Sequence, residues 1–174
     1  MTAVYSSITE TNALTALRTF ILSLVDCEVI RTPANRAALP AGDFVAMSPV
    51  SLSPLATNTH NYTETTQTIL RPDRFCVQLD CYGARAGDRA KVLSTLFRDA
   101  IAVQSFKSSG FDMAPLYAED ARQMPIVSGE EQYIERWSFE CAMQLNPLIT
   151  LAQETANELE PCLISVDRVY PPQP

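Results

Sequence analysis

Apolar residues recur at helical spacing near the start of the chain, at Leu14, Leu17, Ile21 and Leu24. This spacing predicts an amphipathic helix over residues 10–25. Ser7 and Glu10 stand three residues apart just upstream, which is the spacing of a capping box, and they predict where the helix begins. Residues 27–31 are partly alternating and β-branched, so a strand is expected directly after the helix and before Pro33.

Two prolines interrupt the next extended stretch. Residues 35–42 are rich in small residues and predict a loop that leads into an apolar strand over residues 44–47. Pro49 and Pro54 remove backbone donors from the segment that follows. Residues 48–58 are therefore expected to form a sheet edge or an irregular arm that reaches another subunit.

A long β-hairpin is expected over residues 60–82. Residues 60–70 are dense in threonine and favour an extended strand with little apolar surface. Pro72 stands at the second position of a predicted turn at residues 71–74, which leads into a strand over residues 75–82. This second strand alternates, with one face formed by Phe75, Val77, Leu79 and Cys81 and the other by Arg74, Gln78 and Asp80. Only the second strand is therefore predicted to contribute to the core.

One further helix and one long strand complete the predicted core. Asp88 is placed to cap a helix whose apolar stripe consists of Ala90, Leu93, Phe97, Ala100 and Ile101. Residues 107–129 have mixed polarity and predict a long loop. The alternation over residues 132–145 predicts a long strand, central in its sheet and bent. Extended segments are expected at residues 148–151 and 162–169.

These elements predict an α+β fold in one domain over residues 1–174. A mixed or antiparallel β-sheet with a long β-hairpin is flanked by two main helices, and residues 1–8 and 170–174 form extended termini. At 174 residues and 47% hydrophobic composition, the chain is long enough to bury one core.

The charge balance argues against tight binding to nucleic acid. A formal net charge of −7 and a pI near 4.7 leave no basic patch large enough to release counterions from a phosphate backbone. No apolar run reaches the roughly 18 residues that a membrane span requires, and the amino terminus does not fit a secretory signal. We therefore expect a soluble protein of a reducing cytosol with no membrane partner.

Candidate catalytic and ligand-binding residues are few, and each has a simpler structural interpretation. His60 stands in a polar stretch, and any histidine-based triad or metal site would depend on it. The five cysteines lack the spacing of a zinc site, and Cys81 and Cys141 lie at apolar positions that favour core thiols over nucleophiles. Asp80, followed by two glycines, matches a nucleotide-binding turn only in part. We predict no catalytic residue, cofactor or metal.

Several short segments in a fixed order carry a family resemblance. They are Asn35-Arg36, Leu39-Pro40, Gly42-x-Phe44, Ala56-Thr57-Asn58 leading towards Tyr62, Leu79-Asp80-x-Tyr82-Gly83, Glu130-Glu131-Gln132-Tyr133 with Arg136-Trp137, Gln144-x-Asn146-Pro147, and Ile164-x-Val166-Asp167. Spread over positions 35 to 167, they resemble in their order the neck or tail-terminator proteins of long-tailed bacteriophages.

This resemblance implies a structural virion protein, assembled in the host cytoplasm and located in the neck or tail. It implies a ring, six-fold or alternatively twelve-fold, that caps the tail tube, contacts tube or sheath proteins, and joins them to the connector or adaptor proteins of the head. DNA would pass through the lumen without specific binding. A head-closure ring of the same neck, a non-viral adaptor that binds partners by strand addition, and an enzyme using Cys141 or Asp80 are the alternatives.

Four residues are the candidate oligomer-interface residues, namely Tyr62, Thr66, Arg74 and Arg136. Tyr62 and Thr66 belong to the threonine-rich strand, whose poor apolar face suits an inter-subunit sheet edge. Arg74 and Arg136 lie on the polar faces of the two long strands, where ordinary solvated charge is the alternative to a polar subunit interface.

Overall fold

The computed structural model describes residues 4–32, 40–127 and 133–154. In chain order the elements are α1 (Glu10–Leu22), β1 (Glu28–Arg31), β2 (Phe44–Pro54), β3 (Thr59–Tyr62), β4 (Thr66–Leu70), β5 (Asp73–Tyr82), α2 (Ala86–Phe97), α3 (Ala100–Ser108), β6 (Met113–Ala118), β7 (Arg122–Gln123), β8 (Ile126–Val127), β9 (Tyr133–Ile134), β10 (Arg136–Leu145) and β11 (Leu148–Ala152).

The main sheet has the strand order β1-β2-β5-β10-β6, and β7 pairs with the far part of β10. The pairing of β1 with β2 is parallel, whereas the other ladders are antiparallel. The predicted α+β class with a mixed sheet is confirmed. The alternating strand predicted over residues 132–145 is β10, and its central position is also confirmed, since β5 and β6 lie on either side of it.

One face of this sheet carries the hydrophobic core. The odd-numbered residues of β5 and β10 alternate onto this face and are buried, as predicted for Phe75, Val77, Leu79, Cys81, Phe139, Cys141, Met143 and Leu145. Helix α2 packs on β5 and β10, α3 packs on β6, and α1 packs on α3. The rings of Phe20, Phe97 and Phe106, one from each helix, lie with their centroids 5.9–6.0 Å apart.

The first helix begins at Glu10, as predicted, but its expected cap was wrong by two residues. Thr9 is the N-cap, and its hydroxyl and backbone N–H pair reciprocally with Asn12, which completes a capping box two residues after the expected Ser7–Glu10 pair. Ser7 has a different role, because its backbone N–H and its hydroxyl bind Leu148 of β11. The helix ends at Leu22, earlier than predicted.

The second predicted helix is divided in two. Asp99 caps α3, accepting a hydrogen bond from the backbone N–H of Ile101, and so ends the continuous stripe expected through residue 101. Asp88 is not a cap, since α2 begins at Ala86 and Asp88 lies in its first turn. In the described residues, three helices therefore flank the sheet where two main helices were expected.

The long β-hairpin is present, but its turn was misplaced. The first half of the hairpin is β2 followed by β3, and the second half is β4 followed by β5. The two halves pair from Phe44–Tyr82 to Tyr62–Gln67. The chain therefore turns at residues 63–65 and not at 71–74. Pro72 lies within the second half of the hairpin, where its carbonyl accepts a hydrogen bond of 2.8 Å from the backbone N–H of Leu55.

Two segments are more regular than the sequence predicted. Residues 107–129 were expected to be a loop, yet this range contains β6, β7 and β8. Residues 48–54 continue β2 as an edge, with a register shift between Pro49 and Ser51 that accommodates the proline. The predicted strand at 162–169 and the tail at 170–174 lie outside the described residues.

Candidate assembly surface

A three-stranded sheet with the order β11-β4-β3 extends the main sheet beyond the core, and we call it the arm. Asp73 pairs with Leu145 in the main sheet and Leu70 pairs with Leu148 in the arm, so one register continues from β5 and β10 into β4 and β11. The backbone N–H of Arg71 donates to the carbonyl of Pro147 across the junction, at 3.3 Å.

Prolines mark the level where the arm leaves the body. Pro54 ends β2, Pro72 lies between β4 and β5, and Pro147 lies between β10 and β11, all within one or two residues of the same row. Proline has no backbone N–H, so each of them removes a donor from the ladder at this level. The main sheet and the arm are consequently separate hydrogen-bonded sheets.

Side chains fix the tip of the arm. The hydroxyl of Thr63 accepts from the backbone N–H of Thr66 at 3.0 Å, and the two hydroxyls are 2.7 Å apart. The amide nitrogen of Gln67 is 2.9 Å from Nδ1 of His60 and donates to the hydroxyl of Tyr62 at 3.3 Å. The rings of His60 and Tyr62 are stacked, with an interplanar angle of 12°. The predicted interface residues Tyr62 and Thr66 thus both lie near this tip.

The two faces of the arm differ in chemistry. Because opposed residues in a ladder share a face, the register places His60, Tyr62, Gln67, Ile69, Ile149 and Leu151 on one face. The opposite face carries Thr59, Asn61, Thr66, Thr68, Leu70, Leu148, Thr150 and Ala152. The first face continues the core face of the main sheet, and no described helix covers it. All residues of β3 are exposed, and those of β4 are half-buried.

A continuous open edge runs from the body to the tip of the arm. Strand β1 ends opposite Met47, and the hydroxyl of Thr32 after it still contacts the hydroxyl of Ser48. From residue 49 onward β2 has a described neighbour only on its β5 side, and β3 has one only on its β4 side. We call residues 49–62 the open edge. Four large apolar side chains on it are strongly exposed: Val50 at 52%, Leu52 at 56%, Leu55 at 44% and Tyr62 at 63%. Such a row on one edge is typical of a docking surface.

Sequence reasoning missed the apolar part of this edge. Val50 and Leu52 alternate between Pro49 and Pro54, and the sequence predicted a sheet edge or an irregular arm here without its exposed apolar side chains. The alternation itself was the available signal. A strand with two prolines and alternating apolar residues predicts an edge strand, because proline is tolerated only where a ladder donor is not needed.

Arg74 lies at the base of the arm, on the polar face of the main sheet. It stands opposite Ser53 on β2 and Gln144 on β10, both uncharged. Its Nε atom is buried and has no hydrogen-bond partner, and no ion pair is formed between Arg74 and another described residue. Among the described residues, the Nε atom of Arg74 is therefore left without an acceptor.

Arg136 is engaged within the chain. Its guanidinium donates to Asp80 from Nε at 3.1 Å and from Nη2 at 2.9 Å, and it lies 5.8 Å from the centre of the Tyr82 ring. Asp80 is only 4% exposed. Since eight residues of β5 separate the level of Arg74 from that of Arg136, about 27 Å lies between the two arginines. The four predicted interface residues consequently do not form one cluster.

The glycines after Asp80 are explained by packing and not by nucleotide binding. Gly83 has a φ of +102°, and a Cβ at this position would lie 1.8 Å from Oδ1 of Asp43. A Cβ on Gly87 would lie 3.0 Å from Nε1 of Trp137. The backbone N–H of Gly83 donates to the carbonyl of Glu135, so this turn does not present a free donor to a phosphate.

The core cysteines are free thiols that form no disulfide with a described residue. Cys76, Cys81 and Cys141 are buried and free, as expected, while Cys162 lies outside the described residues. Burial raises the pKa of Cys81 to about 12 and raises that of Cys141 still further. The Cys141 thiol donates to the carbonyl of Val77 at 3.3 Å. Neither sulfur provides the thiolate that a nucleophile requires.

A buried arginine and a polar cleft are two further features that the sequence did not indicate. Arg89 of α2 is 7% exposed and pairs with Asp43 at 2.5 Å and with Asp26 at 3.5 Å. Beside it, an open cleft of about 930 Å³ lies between α2 and the β6–β7 connection, lined by both acidic and basic side chains. Within the described ranges, no group of three or more metal-ligating side chains is present, and no helix there has the length and apolarity of a membrane span.

One comparison with known proteins shows the family suggested by the sequence. A family model described as phage neck terminator protein matches residues 13–166. No curated protein matches. Among solved structures, the sheath/tube terminator of an extracellular contractile injection system, PVC, in the extended state has 7% sequence identity and a TM-score of 0.45, covering 97% of this chain and 67% of that one. Because the family model covers most of its length, this chain belongs to the phage neck terminator protein family.

Proposed function

We propose that copies of this chain assemble into a six-fold ring that caps the phage tail tube and joins it to the head. The family gives the coarser role, a structural protein of the tail and neck. The finer role includes contact with tube and sheath proteins on one side and with head connector proteins on the other. The protein acts without a catalytic residue or cofactor, in the virion, after assembly in the host cytoplasm.

The open edge is the observation that carries the self-assembly part of this proposal. A domain that buries its core within itself has no need of a row of exposed apolar side chains at Val50, Leu52, Leu55 and Tyr62. A ring requires two different surfaces on each copy, so that each copy binds the next in the same way. The open edge supplies one of these surfaces.

The acidic charge suits a channel through which DNA passes. Six copies at −7 each carry about −42 in total. A lumen of this sign repels a phosphate backbone, so DNA slides through without being held. This charge is compatible with the role and does not by itself require it.

Tail tubes assembled without this protein provide the test. Added wild-type protein is expected to bind at one end of each tube as a hollow ring, visible by negative-stain electron microscopy, and to stop further growth of the tube. Binding along the sides of the tube, or no binding, would contradict the proposal. Lys107→Glu on α3, an exposed position remote from the open edge, is a control that should cap like the wild type.

The open edge also favours a second candidate, an adaptor that binds a different protein by strand addition. A head-closure ring of the same neck would use this edge as the terminator does, and the end of the tube or connector to which it binds would distinguish the two. A protein that stays monomeric, ignores tail tubes and binds an extended peptide of another protein would favour the adaptor.

A further inference from the structure

The main sheet has a second exposed edge, on the side opposite the open edge. Strand β6 ends the strand order of this sheet, so it has a described hydrogen-bonded neighbour only on its β10 side. We call Met113–Ala118 the far edge. On it, Leu116 is 40% exposed and Tyr117 is 38% exposed. The carbonyl of Ala118 accepts a hydrogen bond from the guanidinium of Arg98. The end of the far edge is therefore occupied within the chain, whereas its two large apolar side chains are exposed.

The open edge and the far edge reach the same level of the main sheet. One row across the ladders contains Ser51 of β2, Cys76 of β5, Ala142 of β10 and Tyr117 of β6. Strand β1 covers the outer side of β2 only over residues 44–47, so both outer strands are uncovered at this row. A rotation about an axis along the strands, without translation along that axis, therefore brings the open edge of one copy beside the far edge of the next.

Each edge carries a β-bulge next to this row. Val50 is the extra residue of β2 and directly follows Pro49. Leu116 is the extra residue of β6 and directly follows Pro115. The two bulged residues are both apolar and exposed, Val50 at 52% and Leu116 at 40%. Because a bulge and a proline both interrupt a backbone ladder, these edges suit a contact between side chains and not the addition of a strand.

The charges around the two edges are complementary. Neither the open edge nor the far edge contains a formally charged side chain, although the chain as a whole is 19% charged. Behind the open edge, Arg74 makes no ion pair with a described residue, and its Nε atom has no hydrogen-bond partner. The exposed Asp112 directly precedes the far edge, two residues along the sheet from the row of Arg74, and its Oδ1 accepts a hydrogen bond from Asn146. A cation behind one edge and a carboxylate beside the other favour a contact between two copies of this chain.

We propose that the far edge of each copy receives the open edge of its neighbour, with Val50 packed against Leu116 and with Arg74 near Asp112. This inference rests on the proposed self-assembly and specifies the two surfaces that it uses. The occupant of each edge is a second copy of this chain. Because the two edges differ, every copy binds the next in the same way. Because they share a level, repetition of the contact closes a ring and does not rise into a helix.

Charged substitutions at the two bulges test the contact. Val50→Asp places a carboxylate against an edge that already has Asp112 beside it, and Leu116→Arg places a cation on the side of Arg74. Both positions are exposed, so each variant is expected to fold but to lose assembly, and its mass should fall to that of one copy. Leu52→Asp is a second disruption of the open edge. Circular dichroism establishes folding, light scattering gives the mass, and negative-stain images show whether tail tubes are capped.

A mixture of Val50→Asp with Leu116→Arg gives the sharpest result. In it the altered edges meet with opposite charges and the unaltered edges meet each other, so assembly is expected to return with the two variants in equal amounts. A mixture of Val50→Asp with Leu116→Asp is the matched control and should stay unassembled.

Single variants that assemble like the wild type, a control mixture that assembles, or a mixture of the folded opposite-charge variants that does not, would overturn this contact but not the proposed function. A wild type that assembles neither alone nor on tail tubes would overturn the proposed function itself.

Discussion

The guanidinium of Arg136 holds the buried carboxylate of Asp80 across the central ladder of the sheet, with its nearest nitrogen 2.9 Å from Oδ1. Tyr82, on the same face, lies beneath the guanidinium. Asp80 also accepts two hydrogen bonds from the amide of Gln78, at 3.0 and 3.1 Å. These contacts satisfy a charged group that would otherwise be buried without a partner.

Arg136→Glu is expected to lower the free energy of unfolding by about 2 to 3 kcal/mol, because Asp80 would then be buried next to a second carboxylate. The double variant Asp80→Asn with Arg136→Gln should recover most of this loss, since it removes both charges. Urea unfolding monitored by circular dichroism measures both values. A single variant as stable as the wild type would show that the pair contributes nothing.

Arg74→Glu is the cleaner test of a polar subunit contact, because Arg74 makes no ion pair with a described residue. We expect a stability change below about 1 kcal/mol and a loss of assembly, as an interface arginine would be replaced by a like charge among acidic copies. Light scattering of Arg74→Glu beside the control Lys107→Glu measures the effect. Equal assembly of both variants would remove Arg74 from the interface.

Much of the main sheet could be predicted from the alternation of apolar and polar residues along its strands. Strands β5 and β10 were visible because most of their odd-numbered positions, such as Val77 and Cys141, are apolar and buried. Strand β6 was missed because only Met113 and Ala118, at its two ends, are buried, and Pro115 between them indicates a loop. Its strand conformation depends on pairing with β10, which is a tertiary contact that local sequence does not record.

The candidate site could be located from the sequence but not assembled. The hairpin turn was misplaced because Pro72 is a strong turn signal, while residues 63–65 contain no glycine, proline, asparagine or aspartate. The hydroxyl of Thr63 performs the turn's hydrogen bonding through Thr66. Arg74 and Arg136 were predicted as interface residues only because each lies at a polar position of an alternating strand. That position gives the face of the sheet but not the distance between the two residues.

Gly83→Ala is expected to destabilise the fold by at least about 2 kcal/mol, since the new methyl group would meet both a positive φ and the Asp43 side chain. Gly42→Ala is the matched control. Gly42 has a φ of +92° but no atom within 4 Å of the added Cβ, so only the backbone cost of about 1 kcal/mol applies. Chemical denaturation of the two variants should separate them, and equal losses would contradict the role assigned to Asp43.

Alkaline pH is expected to weaken the fold through its buried thiols. The folded-state pKa of Cys81 is raised from 9.0 to about 12 by burial, so the folded chain holds this proton more tightly than the unfolded chain. The resulting stability is complete below the unfolded pKa near 9.0 and is lost as the pH rises through about 12. The loss is at most about 1.4 kcal/mol per pH unit for each thiol.

Urea unfolding across this alkaline range, with wild type and Cys81→Ala compared, measures the effect. The variant starts from a lower stability because a core side chain is shortened, but its stability should fall less steeply with pH. Parallel pH profiles for the two proteins would show that Cys81 does not titrate in the way its burial requires.

The mass of the purified wild-type protein, measured by light scattering coupled to size exclusion over a range of concentrations, tests the central claim most directly. The account predicts a species of six copies that negative-stain images show as a closed hollow ring, either for the protein alone or at the ends of added tail tubes. A protein that remains monomeric at every concentration and also fails to bind tail tubes would contradict it.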